Sequence, residues 1–354
     1  MREKEKLFKV GLIGCGRISK IHTSVLSSLP GVKLTAVCDI AEERAQNYAQ
    51  KFKCETYADY KKMLKAKNID IINICTPTHM HAQMAVDAAE AGKHVVSEKP
   101  MAITLSDADR MIEACKKNGV KLFVVKQNRY NSPIVKLKEA IDEKRFGKIF
   151  YGKTTVYWQR DQHYYDENIW FKTRDMGGGV IINQASHNID MLCWLMGPAE
   201  SVYAKIDTMT HRIDTEDFGV GIVKFKSGAW GIIEATTCVY PKNIEGSITI
   251  LGENGSVKIG GIQMNERQLW EFRDHKNEDD IHSHCSTEPS DVYGYGHIKF
   301  FEDVLRVLNG ENMLYVDGNE GKISLELISA MYESASTGKE VNMANFIAKY
   351  TRNE

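Results

Sequence analysis

Nowhere does the sequence string together the roughly 20 apolar residues that a membrane-spanning helix requires, so a membrane-embedded chain is not expected. Excess charge of either sign is missing too. The formal net charge is -1, which favours neither nucleic acid nor an anionic membrane surface as a partner. The eight cysteines include no C-x-x-C pair. Several of them, such as Cys38 and Cys75, sit inside apolar, strand-like runs. That is the pattern of reduced thiols in a cytoplasm, not of a disulfide framework. Internal repeats and low-complexity segments are lacking. Residues 1–6 are charged but lead into a short strand, not into a signal-peptide core. What remains is an ordinary soluble composition, 43% hydrophobic and 26% charged, in 354 residues, long enough for two domains with cores of their own.

The N-terminal half carries the first positive signal. A short buried strand over residues 9–13 runs into G-L-I-G-C-G-R-I-S, then a helical pattern (Ile21, Val25, Leu26, Leu29), then an apolar strand over 32–38 closed by Asp39. Strand, glycine turn, helix, strand, acid is the order of a dinucleotide-binding unit. Gly14 permits the tight turn. Gly16 lets the backbone approach a pyrophosphate, which sits on amides at the helix N-terminus. The third glycine of the fingerprint is Ser19 here. Asp39 falls where a carboxylate accepts hydrogen bonds from the adenosine ribose, and its charge repels a 2′-phosphate, so NAD is expected over NADP.

Alternation continues to about residue 128. Strands over 69–74, 94–97 and 122–125 alternate with helices over 41–52, 59–65, 79–91 and from Ser106-Asp107-Ala108-Asp109, a start resembling a capping box, to Asn118. The strand over 69–74 is dominated by isoleucine, as in the interior of a parallel sheet. Ligands of open α/β sheets bind outside the carboxyl ends of the strands. Gly14, Asp39, Thr76, Lys99 and Gln127 all fall at such ends. We therefore expect an α/β Rossmann domain over 1–128, followed by an α+β domain over 129–354 with a large, mostly antiparallel open sheet. The latter rests on strand patterns over 149–159, 202–207, 218–225, 230–237, 247–251 and 256–259, some joined by glycine turns, with helices over 296–308 and 319–336 closing the chain.

Within the second half, M-G-G-G-V-I-I-N-Q-A-S-H-N-I-D (176–190) concentrates three glycines, an amide and a histidine. The glycines open backbone conformations closed to other residues and let a ligand approach. Asn183 is placed to cap a helix running to Met196, which Gly197-Pro198 stops. Its apolar side is Ile189, Leu192, Cys193 and Met196, and His187 lies in its first turn.

G-C-G-R-I-S, T-P-T-H-M-H, E-K-P and G-G-G followed by a histidine together resemble the glucose-fructose oxidoreductase/inositol dehydrogenase/MocA family. The likeness covers nearly the whole chain, including D-G-N-E-G-K near the C-terminus. Q-N-R-Y-N-S-P, W-Q-R-D-Q-H-Y-Y-D, N-Q-A-S-H-N-I-D, G-P-A-E-S-V-Y-A and Y-P-K-N-I-E-G-S-I-T-I-L-G-E narrow it to the bacterial dehydrogenases of UDP-N-acetyl-2-amino-2-deoxyglucuronate, which act in O-antigen sugar synthesis. The resemblance implies Lys99 and His187 as catalytic residues. It implies cofactor contacts from Gly14, Gly16, Arg17, Ile18, Asp39, Thr76, His81, Glu98, Lys99 and Gln127, with Trp170 near the nicotinamide. It also implies a cis peptide before Pro100, a homodimer or homotetramer, and residues 240–247 reaching a neighbour. The position four before the histidine is often aspartate in the family. Asn183 cannot take a proton, but it can hydrogen-bond a sugar hydroxyl.

Oxidising a secondary alcohol requires hydride to leave carbon and a proton to leave oxygen. His187, with an unperturbed pKa of about 6.5, suits the base, and Lys99 as a cation suits stabilisation of charge on the oxygen. The reverse assignment stays open, since burial can lower a lysine into range. On the substrate side, Tyr157, Trp158, Tyr164 and Tyr165 offer stacking faces. Arg160, Lys172 and Arg174 offer charge for a carboxylate or diphosphate; Lys99, Asn183 and His187 complete the set. No metal is expected, because His282, His284 and Cys285 lack a fourth ligand at recognisable spacing. Alternatives are a dehydrogenase of another sugar nucleotide, a free sugar or inositol, and a non-catalytic dinucleotide-binding regulator. A regulator has no need of both Lys99 and His187.

Overall fold

The computed structural model describes residues 6–280 and 296–351. Two compact units divide the chain: Met1–Gln127 with Tyr295–Lys322, and Asn128–Gly294 with Ile323–Glu354.

The first unit is built on six strands, β1 (Phe8–Ile13), β2 (Val32–Cys38), β3 (Glu55–Tyr57), β4 (Ile71–Ile74), β5 (His94–Ser97) and β6 (Leu122–Val124). They lie in the order β3-β2-β1-β4-β5-β6, every neighbouring pair parallel. Every residue of β4 is buried, the three isoleucines as an interior strand with helices on both faces demands and Asn73 through its hydrogen bond to His22. Strand order reverses between β1 and β4, which makes their carboxyl ends the crevice of the sheet.

Residues 296–322 correct the expected domain limits, which assigned everything after residue 128 to the second domain. Val124 N–H donates to the Val316 carbonyl at 3.0 Å. A Cβ on Gly321 would meet Val124 at 2.6 Å, and one on Gly318 would meet Ile112 at 2.5 Å. The two glycines of D-G-N-E-G-K thus admit the chain against β6. The helix Leu105–Lys117 also starts differently from expectation. Its cap is Thr104, whose Oγ1 accepts from Asp107 N–H at 3.1 Å, two residues before the expected start.

The second unit holds eight strands, β7 (Ile149–Tyr157), β8 (Ala199–Asp207), β9 (Phe218–Phe225), β10 (Trp230–Thr236), β11 (Glu245–Gly252), β12 (Gly255–Gly260), β13 (Glu266–Phe272) and β14 (Val341–Asn342). Their order is β13-β12-β11-β7-β10-β9-β8-β14, antiparallel except where β7 meets β10. Sequence pattern missed β13, an edge strand with mostly polar residues, and the short helix Met343–Thr351. One face is covered. Gly152 in β7 makes room for Met196 of the helix Ser186–Met196, since a Cβ there would lie 2.7 Å from its sulfur. Among the described residues the other face is exposed. Register places Tyr203, Ile222, Ile232, Lys153, Thr249, Lys258 and Leu269 in one row across seven strands. Ile222 is 46% and Trp230 50% exposed.

Candidate active site

In the first unit the strand ends carry the residues named from sequence. Gly14 has φ 94°, and a Cβ there would lie 2.7 Å from the Cys75 carbonyl oxygen, so both backbone and space demand glycine. A Cβ on Gly16 would meet nothing within 4 Å, which leaves room for a ligand to approach. Ser19 fills the place of the third glycine; its hydroxyl donates to the Gly16 carbonyl at 2.7 Å and stays buried. The helix Ser19–Ser28 comes next, with Arg17 and Ile18 in the turn before it.

Asp39 accepts from Cys15 N–H at 2.8 Å through one carboxylate oxygen and from Ala41 N–H at 2.8 Å through the other. Each oxygen keeps a second lone pair for a ribose hydroxyl. Open space over Gly16, a helix N-terminus and an anchored carboxylate together suit a dinucleotide.

After β4, the ring of His81 stands between the Thr76 carbonyl at 2.8 Å and the Pro100 carbonyl at 2.9 Å. Burial lowers its pKa, although both carbonyls pull the other way. The Lys99–Pro100 peptide is cis, and so is Tyr240–Pro241. Lys99 is half-buried, and desolvation lowers its pKa to about 8, with Glu98 pulling it up and Lys126 pushing it further down. Glu98 itself is buried, and Gln127 succeeds β6 in a buried turn.

The second unit positions His187. Gly177 and Gly179 have φ 89° and 111°. A Cβ on Gly178 would lie 2.4 Å from the Phe171 carbonyl oxygen, and one on Gly179 would lie 2.4 Å from the Glu216 carboxylate. The run therefore needs its glycines for close packing as well as for conformation. Buried Glu216 fastens the turn beyond the glycines. It accepts from Ile181 N–H at 2.9 Å, Thr215 Oγ1 at 2.7 Å and the Tyr332 hydroxyl at 2.8 Å. Burial raises its pKa against those hydrogen bonds.

Residues Val180–Gln184 form a π-helical turn, and the α-helix begins at Ser186 without a side-chain cap. Asn183 lies inside the π turn, so the capping role read from sequence does not hold. His187 is half-buried in the first turn of the helix, as expected. Three residues on, Asp190 is gripped by Arg129 through Nε at 2.7 Å and Nη2 at 2.9 Å, both side chains buried. Removing one partner of such a pair typically costs about 3–5 kcal/mol.

The aromatic and charged run is partly tied to its own surroundings. Arg160 donates to Gln184 Oε1 at 3.1 Å and lies over the Trp158 and Tyr164 rings, each 5.2 Å away. Gln184 Nε2 donates to the Tyr164 hydroxyl at 2.9 Å. Lys172 pairs with Asp166 at 3.1 Å, and Arg174 lies 4.2 Å from the Tyr332 ring. Tyr165 is buried, its hydroxyl 2.7 Å from Thr237 Oγ1. Trp170 packs on Phe171 with centroids 3.9 Å apart. The buried indole N–H of Trp158 has no acceptor among the described residues.

The loop before β9 was not singled out from sequence. Asp217 accepts from the amides of Met209, Thr210 and His211 and from the His211 ring at 2.8 Å. Burial alone would raise this carboxyl; those hydrogen bonds bring it down to about 2. His211, Asp217 and Cys238 form one cluster of metal-ligand type, and His22, Glu98 and His297 form another. His282, His284 and Cys285 lie outside the described residues.

A parallel six-stranded sheet with a dinucleotide turn and an acid after its second strand, joined in the same chain to a mostly antiparallel sheet unit, defines an NAD-dependent oxidoreductase. Residues 8–126 match the model of the oxidoreductase family with an NAD-binding Rossmann fold, and residues 134–258 match the GFO/IDH/MocA C-terminal domain. The chain belongs to the GFO/IDH/MocA family.

Among solved structures, it is similar to the WlbA dehydrogenase of Bordetella pertussis, crystallised with NADH and UDP-GlcNAcA. Identity is 40%, covering 96% of this chain and 99% of that one, with a TM-score of 0.92. The WlbA dehydrogenase of Chromobacterium violaceum, in complex with the same two molecules, is 41% identical over 96% of each chain, with a TM-score of 0.90. The myo-inositol 2-dehydrogenase of Thermotoga maritima is 29% identical over 272 residues, 72% of this chain and 76% of its own.

Proposed function

We propose that this protein oxidises the C3 hydroxyl of UDP-N-acetylglucosaminuronate to the 3-keto sugar, with NAD as acceptor, in the synthesis of surface-polysaccharide sugars. The observation that carries the reading is the likeness, at 40% identity over 96% of the chain, to a dehydrogenase crystallised with NADH and that sugar nucleotide. When bound, NAD supplies the acceptor for hydride. The chain supplies the rest. His187 takes the hydroxyl proton, and Lys99 as an ammonium stabilises negative charge growing on that oxygen. A lysine lowered to about 8 can also serve as the base, so the opposite assignment remains the alternative. Asn183 is the candidate donor to the sugar hydroxyls. Trp158 and Tyr164 are candidate walls, buried Tyr165 backs Tyr164 and offers no stacking face of its own, and Arg160 and Lys172 are candidate partners for the substrate's anions.

The myo-inositol 2-dehydrogenase relative supports a second reading, oxidation of a free polyol. NADH formation across a panel of UDP-sugars, free sugars and inositol separates the two. The first reading requires turnover of UDP-N-acetylglucosaminuronate with a product two hydrogens lighter. Turnover of inositol alone would reverse the choice.

Asp39 sets cofactor choice in this reading. Asp39→Ala is expected to weaken NAD binding and to narrow the preference over NADP, measured by titrating both cofactors. Wild-type protein that uses NADP as well as NAD would show that Asp39 does not contact the ribose.

The protein assembles as a dimer or tetramer through the open sheet face. That face mixes Tyr203, Ile222 and Trp230 with the Lys153–Glu234 pair at 2.8 Å, the composition of a patch to be covered. Residues 240–247 extend to the neighbouring subunit. Tyr240 and Ile244 stand 88% and 63% exposed. Trp230→Glu with Ile222→Lys is expected to yield monomers by light scattering. A fully active wild-type monomer at low concentration would contradict the assembly.

A further inference from the structure

Behind Lys99 the first unit buries a chain of polar groups around Glu98, and two of its members, His22 and His297, are used by neither the dinucleotide nor the substrate reading. His22, on the helix Ser19–Ser28, is fully buried. Its Nε2 lies 2.7 Å from Glu98 Oε1, and its Nδ1 lies 2.9 Å from Asn73 Nδ2 on β4. An amide nitrogen only donates, so His22 accepts at Nδ1 and donates from Nε2 to Glu98. Asn73 Oδ1 in turn faces the Cys75 thiol at 3.9 Å. The second Glu98 oxygen accepts the backbone N–H of Lys99 at 3.0 Å. His297, on the helix Gly296–Leu308, closes the group. Its Nε2 lies 3.9 Å from Glu98 Oε1, and its ring packs edge-on against His22 with centroids 5.2 Å apart.

All three members of the triad are buried, and a buried charge persists only where partners compensate it. The 2.7 Å separation of His22 from Glu98 is a hydrogen-bond distance. Two ligands of one zinc ion, each about 2.0–2.2 Å from the metal, stand further apart than that. The geometry is that of a carboxylate held by donors, not of a metal cage.

We propose that His22 and His297 are positioning residues for Lys99 and act through Glu98: His22 fixes the Glu98 carboxylate by a hydrogen bond, His297 flanks it at 3.9 Å, and the carboxylate anchors the Lys99 backbone and places a buried negative charge beside that residue. The proposal rests on the role assigned to Lys99 in the dehydrogenase reading. Supporting it, the His22 and His297 contacts outweigh burial and hold Glu98 well below the usual carboxylate range. The same charge opposes the desolvation of Lys99 and raises the Cys75 thiol further. The charged and titratable groups facing the pair are His22, Cys75, His81 and His297 around Glu98, and Lys126 near Lys99.

Removing a negative charge disfavours the ammonium, so loss of the Glu98 carboxylate moves the midpoint of Lys99 to lower pH. The pH-rate limb that titrates with Lys99 moves with it, whichever protonation state does the work. A unit charge in a protein interior is worth on the order of one pH unit or more.

The test is trace labelling of Lys99 with acetic anhydride across pH in the NAD-bound protein, read by peptide mass spectrometry. The pH profile of kcat is measured beside it. Glu98→Gln keeps shape and an acceptor for the Lys99 amide. It is expected to lower the labelling midpoint by about one pH unit or more, and His22→Ala and His297→Ala are expected to shift it the same way. His22→Gln, whose amide nitrogen can take the place of Nε2, should restore most of the wild-type midpoint. If Glu98→Gln does not fold, the histidine variants carry the same comparison. An unmoved midpoint in folded variants, or lost turnover with midpoint and pH limb both in place, would overturn the proposal by showing a structural role only. The labelling readout needs no substrate. A shifted midpoint in a protein that oxidises no sugar would sustain the relay while refuting the proposed function.

Discussion

Lys99→Ala and His187→Ala are each expected to lower turnover by at least about a hundredfold, the range for losing a positioned acid-base group. The two should differ in what survives. NAD binding is retained in His187→Ala, because the dinucleotide turn and Asp39 belong to the first unit and His187 to the second. Lys99 lies just beyond β5 at the carboxyl edge of the first sheet, so Lys99→Ala is allowed to disturb the cofactor as well. Steady-state kinetics with calorimetric NAD binding reads both effects. Near-normal turnover in either variant removes that residue from the chemistry. The scaffold around His187 makes the test clean. Its helix is held by the Arg129–Asp190 pair and its approach by Glu216, neither of which the His187→Ala variant touches.

Loss of the sugar carboxylate should produce the second large effect. UDP-N-acetylglucosaminuronate carries a carboxylate and a diphosphate, and its pocket needs cations and amide donors to meet them. With UDP-N-acetylglucosamine, a buried cation is left unpaired at a cost of about 2–5 kcal/mol, so kcat/KM should fall about 30-fold or more. Free glucuronate, without the nucleotide, should be poorer still. Arg160 and Lys172 are the cations to vary. Arg160 is the more constrained, between Gln184 and the Trp158 and Tyr164 rings, and Lys172 the more exposed, paired with Asp166. Arg174, a candidate from sequence, is stacked on Tyr332. Equal rates with and without the carboxylate would reject this substrate and leave the dehydrogenase class untouched.

Much of this was legible in the chain because it is local. The dinucleotide turn packs its signals into the stretch from Phe8 to Asp39, and each has one physical reason to be there. The parallel sheet could be read from β4, whose three isoleucines in four residues suit burial on both sides. The open antiparallel sheet could be read from alternating strands and glycine turns.

The features that escaped are long-range or polar. His22 and Glu98 are 76 residues apart, Arg129 and Asp190 61, and Glu216 and Tyr332 116. A buried hydrogen bond leaves no periodicity in the sequence. β13 escaped notice because an edge strand need not alternate cleanly. Asn183 was misread as a cap because side-chain type alone does not distinguish an α-helical start from the π turn that Glu216 and the glycines impose. The return of residues 296–322 to the first unit was hidden for the same reason, since Gly318 and Gly321 act only through what they let approach.

The most direct measurement uses UDP-N-acetylglucosaminuronate carrying deuterium at C3, incubated with NAD and the protein. Nuclear magnetic resonance then locates the label. Deuterium is expected at C4 of the reduced nicotinamide, together with a sugar product that has lost it and gained a C3 ketone. Reduced cofactor without the label, or a sugar that keeps its C3 deuterium, would contradict oxidation at that carbon.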